Sequence, residues 1–117
     1  MTFEADLYTV LSAVTPQVFP DFAPVDTPRP YATFQQIGGG VLNLVDNSPP
    51  GVRLPDVQVN VWADTRAEAM SVIRAIEDAM RAATAFTAIP SGDAMCDFDA
   101  DVPVYGAHQD FRCRHTT

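Results

Sequence analysis

The seven residues Val57-Gln58-Val59-Asn60-Val61-Trp62-Ala63 place aliphatic side chains at every odd position and Gln, Asn and Trp at every even one. Successive side chains of a strand point to opposite faces, so this period of two predicts a β-strand with one face in a core and the other outside it. Asp64-Thr65-Arg66-Ala67-Glu68 follows at once, and Thr65 and Glu68 stand at the spacing of a capping box, which satisfies two otherwise orphaned N–H groups. The strand therefore feeds directly into a helix, expected from about Arg66 to Ala83. Ala69, Val72, Ile73, Ile76, Met80 and Ala83 form its buried stripe, and Arg74, Glu77, Asp78 and Arg81 lie outside it, with Glu77 and Arg81 in the favourable i, i+4 order.

Around this unit the chain divides readily. Phe3, Leu7, Val10, Leu11 and Val14 make one apolar stripe at helical spacing, with Thr2 as N-cap and Pro16 as terminator. Pro16, Pro20, Pro24, Pro28 and Pro30 each fix φ and remove a backbone donor, so residues 16–30 are expected as an extended surface strap. Tyr31 to Ile37 is β-branched, aromatic and uncharged, which suits a strand; Gly38-Gly39-Gly40 interrupts it, and Val41 to Val45 is a candidate continuation past a bulge. Asp46-Asn47-Ser48-Pro49-Pro50-Gly51 is dense in turn formers, giving an exposed, mobile loop over 46–55. Pro90 to Asp93 reads as a turn, with two further strands at Met95 to Asp99 and Val104 to His115 around Val102-Pro103. The expected fold is a single α+β domain over 1–117 in the order α-β-β-α-β-β: a mostly antiparallel sheet of about four strands with two amphipathic helices packed on one face.

Composition narrows the function classes. With 117 residues, 12.7 kDa and 47% apolar residues, the chain is sized for one domain. A compact fold of that mass exposes roughly 6,200 Å² of the roughly 18,400 Å² of an extended chain, enough burial for a core without disulfides. Fifteen acidic residues against seven basic ones, all Arg, give a net charge of −8, the opposite of a nucleic-acid footprint. No apolar run reaches the length of a membrane span, and the start Met1-Thr2-Phe3-Glu4-Ala5-Asp6 is acidic where a signal peptide is basic, so synthesis and residence in a reducing cytoplasm are expected, with Cys96 and Cys113 as free thiols.

Catalytic and metal-binding patterns fail on spacing. Cys96, His108, Cys113 and His115 contain no paired-ligand motif; Cys113 and His115 share a strand face and His108 takes the other, so the histidines are read as solvent-facing and no zinc is expected. Asp97, Asp99 and Asp101 imitate the start of a calcium loop, but Val102 stands where Gly makes the turn and His108 where a bidentate Glu belongs. The glycine triplet lacks the following Lys of a phosphate loop, and none of Ser12, Ser48, Ser71 and Ser91 sits in a nucleophile elbow. No catalytic residue, metal site or cofactor is expected.

Trp62 stands out because it shares the polar face of its strand with Gln58 and Asn60, where a lone indole is costly to leave in water. Either the strap or a loop covers it, or it anchors a subunit contact, where aromatic residues concentrate. The loop residues Asp46, Asn47, Pro49 and Pro50 are the second candidate contact, since an exposed loop without helix or strand pattern is free to serve binding.

The run Val57 to Asp64 followed by Thr65-Arg66-Ala67-Glu68-Ala69, together with Val18-Phe19-Pro20, Pro30 to Gly38 and Gln109-Asp110-Phe111, resembles the small tail-completion or tail-terminator proteins of long-tailed bacteriophages and prophages. Arg112-Cys113-Arg114-His115 is more polar than that family's usual strand end, and the 46–55 loop is short and proline-rich. The resemblance implies a non-enzymatic virion protein made in the bacterial host cytoplasm. It closes the tail tube and joins tail to head as a ring, usually a hexamer, from subunits that can be monomeric before assembly. Its implied partners are other copies of itself, the tail tube protein and a head-side connector or head-completion protein; DNA only passes through, and no membrane or cofactor is involved. The alternative classes are a cytoplasmic binding module docking a partner through a sheet edge, and a small enzyme.

Overall fold

A computed structural model describes residues 2–116; Met1 and Thr117 lie outside the described residues. Helix α1 spans Phe3–Ser12, followed by strands β1 (Val18–Pro20), β2 (Tyr31–Gly40) and β3 (Val52–Ala63). Helix α2 spans Arg66–Ala82, and β4 (Thr87–Pro90), β5 (Met95–Asp99) and β6 (Val104–Thr116) complete the chain. The sheet runs β1-β2-β3-β6-β4, with β5 also paired to β6. Only β1 and β2 are parallel; the other pairs are antiparallel. The α+β architecture with both helices on one face stands as expected, but the sheet has six strands where about four were expected.

The centre is built by parity. Val57, Val59, Val61 and Ala63 of β3 are buried, opposite Phe111, Gln109, Ala107 and Tyr105 of β6. On the other side Phe34 and Ala32 of β2 pair with Val59 and Val61. Over this layer lie Ala69, Ile73, Ile76 and Met80 of α2 and Leu7 and Leu11 of α1, all buried in one core. Both helices start where expected. Thr2 Oγ1 accepts from Ala5 N at 3.1 Å, and Thr65 Oγ1 accepts from Glu68 N at 3.1 Å. The Glu68 carboxylate reaches back to Asp64 N at 3.4 Å, one residue before the cap itself.

Four boundaries differ from expectation, each at a place where a neighbour sets the conformation. The strap contains β1: Val18 is buried and pairs with Ala32, and Pro20 is tolerated because this edge strand needs no donor there. Strand β2 runs through the glycines to Gly40, with its irregularity between Gln36 and Gly38. Gly39 is forced by β3, since a Cβ there would lie 2.1 Å from Leu54 O, and its φ of 133° disfavours other residues. Val41 to Val45 is consequently not strand, and the loop covers 41–51, because Val52 to Pro55 already belongs to β3. Finally, β4 precedes the expected turn, pairing Thr87 to Pro90 with Arg114 to Phe111.

Two side chains also depart from their expected places. His115 is buried, not solvent-facing: its Nε2 lies 2.9 Å from Asp6 Oδ2, and its ring meets Phe3 edge-on, which ties the end of β6 to α1. Glu77 flanks the buried stripe and contacts the sheet. Gln109 Nε2 donates to its Oε1 at 2.7 Å, and that bond, aided by Arg81, holds the Glu77 carboxyl below its ordinary range.

Removing the α2 cap with Thr65→Ala leaves Glu68 N without its acceptor and is expected to cost about 1 kcal/mol, read as a lower denaturant midpoint at unchanged slope. Burial raises the Cys113 thiol to about 12, with the Asp56 charge adding to it. An unfolded thiol ionises near its ordinary 9, so stability present below that pH is expected to fall as pH rises from about 9 towards 12, by about 1.4 kcal/mol per unit. Cys113→Ala removes this contribution; the pH dependence of unfolding in the two proteins gives the difference.

Candidate functional site

Both helices cover the same face of the sheet, and the even-numbered residues of β3 and β6 point to the other. The sheet register arranges that face in five rows. Tyr31, Trp62, Gly106 and Asp97 form the first, and Thr33, Asn60, His108 and Met95 the second. Gln35, Gln58 and Asp110 make the third; Gly38, Asp56, Arg112 and Ile89 make the fourth. Gly40, Leu54, Arg114 and Thr87 close the face.

Trp62 is placed on this face as its parity requires, half-buried. Its indole lies flat across the backbone of Gly106: a Cβ at 106 would stand 2.7 Å from Trp62 Cζ3 and 2.9 Å from Cε3. A glycine inside a strand often marks such a close approach, so Gly106 was a legible signal that the sequence reading passed over. The cover comes from within the sheet, with neither helix reaching this side. Among the described residues the indole N–H has no acceptor. Asn60 is half-buried between Thr33 and His108, and neither Asn60 nor His108 makes a side-chain hydrogen bond among the described residues. Gln58 is engaged, its Nε2 donating to Asp110 Oδ1 at 3.1 Å. The face thus presents the rings of Tyr31 and Trp62, the Asn60 amide and His108 imidazole, which have no side-chain partner among the described residues, and the exposed Met95.

The 41–51 loop lies at the other end. From Tyr31 to Gly40 the strand advances nine residues, about 30 Å, away from Trp62. The loop residues Asp46, Asn47 and Pro49 are exposed and Pro50 is partly so. Asp46 Oδ1 accepts from Ser48 N at 3.1 Å and Ser48 Oγ at 2.7 Å, which holds its carboxyl below the ordinary range, and Asn47 N donates to Leu44 O at 2.9 Å. The turn is therefore self-bonded. Val41, Leu42, Leu44 and Val45, a candidate continuation of the strand by sequence, stand in solvent, Val45 completely. The two groups of sequence-predicted site residues are not brought together within one chain.

The groups considered for catalysis and metal binding are scattered. Cys113 is buried while Cys96 is exposed, with its Sγ 3.5 Å from Met70 Sδ. Asp97 and Asp99 accept from the nearby backbone amides of Phe98 and Asp101. Among the described residues no three His, Cys, Asp or Glu side chains gather as a metal site, and no helix is long and apolar enough to cross a membrane. Gln109, which has no signal of its own in the sequence, is the one fully buried side-chain amide among the described residues. Its Nε2 bonds Glu77 and Gly92 O, its Oε1 has no protein partner, and beside it lies a pocket of about 150 Å³ at the sheet edge between β4 and β5.

Gly106→Ala is expected to push the indole off the sheet, shifting the emission of this single tryptophan to the red and costing about 1–3 kcal/mol. An unchanged spectrum would show that the ring does not rest on Gly106.

Residues 5–116 match the family model described as tail completion protein gp17. Among solved structures, a chain from the virion of a native gene transfer agent (GTA) particle shares the fold with a TM-score of 0.65 at 18% identity, over 98% of this chain and 95% of that one. No match was found among the curated proteins.

Proposed function

Because the chain belongs to the tail completion protein gp17 family, a family of structural virion proteins, we propose that it closes the head-proximal end of a phage tail tube as a ring and joins tail to head. The observation that carries this reading is the match over nearly the whole chain, from residue 5 to residue 116. The likeness of fold to a gene transfer agent virion chain supports it. In this reading the partners are copies of the same chain, the tail tube protein and a head-side connector or head-completion protein, and the subunit acts at the head–tail junction. Trp62, Gln58 and Asn60 on the helix-free face, and Asp46, Asn47, Pro49 and Pro50 on the loop, supply the contacts.

Ring closure requires two unlike, complementary patches on every subunit, and a chain with Trp62 at one end of its sheet and the loop beyond the other has two surfaces to offer. DNA passing through a ring of subunits at −8 each is repelled along the bore rather than held.

The experiment is negative-stain imaging of purified protein mixed with open tail tubes of the same phage. Density closing one end only of each tube is expected. In light scattering coupled to gel filtration the free protein should run as monomer or closed ring. A stable two-fold dimer, with tubes left open at both ends, would overturn the proposal.

A further inference from the structure

We infer that the apolar tip Val41 to Val45 of one subunit seats on the helix-free face around Trp62 of the next, so that these two surfaces are the two halves of one contact between copies of this chain. The inference rests on the ring reading above. Three observations carry it.

First, the tip is apolar and unprotected. Val41 is 66% exposed, Leu42 45%, Leu44 46%, and Val45 is wholly in solvent. Four such side chains present on the order of 400 Å² of apolar surface, the scale at which a patch on a monomer marks an interaction site. The Asn47 to Leu44 and Ser48 to Asp46 bonds close the turn that carries Leu44 and Val45.

Second, the tip has no counterpart in its own chain. The molecule is 52 Å long and 25 by 23 Å across, and the row containing Trp62 lies at one end of β3 with the loop beyond the other. About 30 Å of paired strand separates them, and the hairpin arm is fixed by Gly38 to Gly40 pairing with Asp56 to Leu54. Only a second molecule brings tip and face together, and repetition of that contact is heterologous, the kind that closes rings.

Third, charge selects the tip as the part that another copy accepts. The chain carries −8 overall, yet residues 37–52 contain one charged side chain, Asp46. The receiving end of the face bears Asp97, with Asp99 and Asp101 beyond it. Acidic surfaces of two copies repel each other, whereas an uncharged tip meets the half-buried indole and Met95 without like-charge juxtaposition. The apolar half of the loop is then committed to the neighbour, and the polar half, Asp46 to Pro50, is left for an axial partner.

The test uses two single-site variants of the full chain, Val45→Asp on the tip and Asn60→Lys on the face, each checked for wild-type thermal unfolding. Both positions lie outside the buried core. At a concentration where wild type assembles, alone or on tail tubes, each variant alone is expected to remain monomeric, with Trp62 emission as red as in dilute protein. Mixed in equal amounts they retain one intact tip and one intact face between them, so one-to-one pairs are expected, with half of the Trp62 population shifted to the blue. A mixture that stays monomeric, or variants that form rings as wild type does with the same emission shift, would overturn the contact while leaving the ring reading standing. Wild-type protein that neither oligomerises nor caps tubes would overturn the ring reading and the contact with it.

Discussion

The antiparallel pairing of β3 with β6 is the constraint from which the rest of the structure follows. Its register sets Val57, Val59 and Val61 opposite Phe111, Gln109 and Ala107, so one face of the central pair is committed to burial along its length. A strand that alternates strictly cannot slip by one residue without turning every aliphatic side chain into water. Once that face is fixed, α2 follows from the Thr65 cap immediately after β3, and α1 completes the layer by laying Leu7 and Leu11 over the same side. The opposite face is left without a helix as a direct consequence: the chain has two amphipathic helices and both are spent on one side.

That division was legible because it is local. Parity along Val57 to Ala63 and the spacing of Thr65 and Glu68 are written within a dozen residues; the end of β3 and both ends of α2 fall within about one residue of expectation, while β3 begins five residues earlier, at Val52. What escaped was set by pairing across the chain. Val18 to Pro20 has no strand pattern of its own; it becomes β1 because β2 offers an edge on which Val18 is buried. Thr87 to Pro90 becomes β4 on the same terms along β6. The glycine triplet looked like an interruption because glycine weakens a strand, yet close approach of Leu54 requires a residue without Cβ at 39. For the candidate site, Trp62, Asn60 and Gln58 were placed by parity alone, while Gly106 and the apolar side chains of the loop became meaningful only once the register and the loop boundary were known.

Gln109 shows the cost and use of a polar group on the buried face. It occupies the point on β6 between the segment paired with β5 and the segment paired with β4, and its amide holds Glu77 of α2 and the Gly92 carbonyl of the connecting turn. An apolar residue would fill that volume but remove the donor that Glu77 Oε1 and the Gly92 carbonyl share. The amide thus fixes the helix and the sheet edge to each other where backbone pairing is interrupted.

The open face and the exposed tip are then two sides of one physical fact. A small chain that seals a single face of its sheet keeps a polar, aromatic surface on the other, and a loop of valines and leucines carrying a single acidic residue is an aggregation hazard unless something of matching character receives it. Placed at opposite ends of a 52 Å molecule, the two cannot satisfy each other within the chain. The fold therefore leaves two unlike surfaces uncovered at opposite ends of each subunit, and two unlike, complementary surfaces are what the ring proposed above requires.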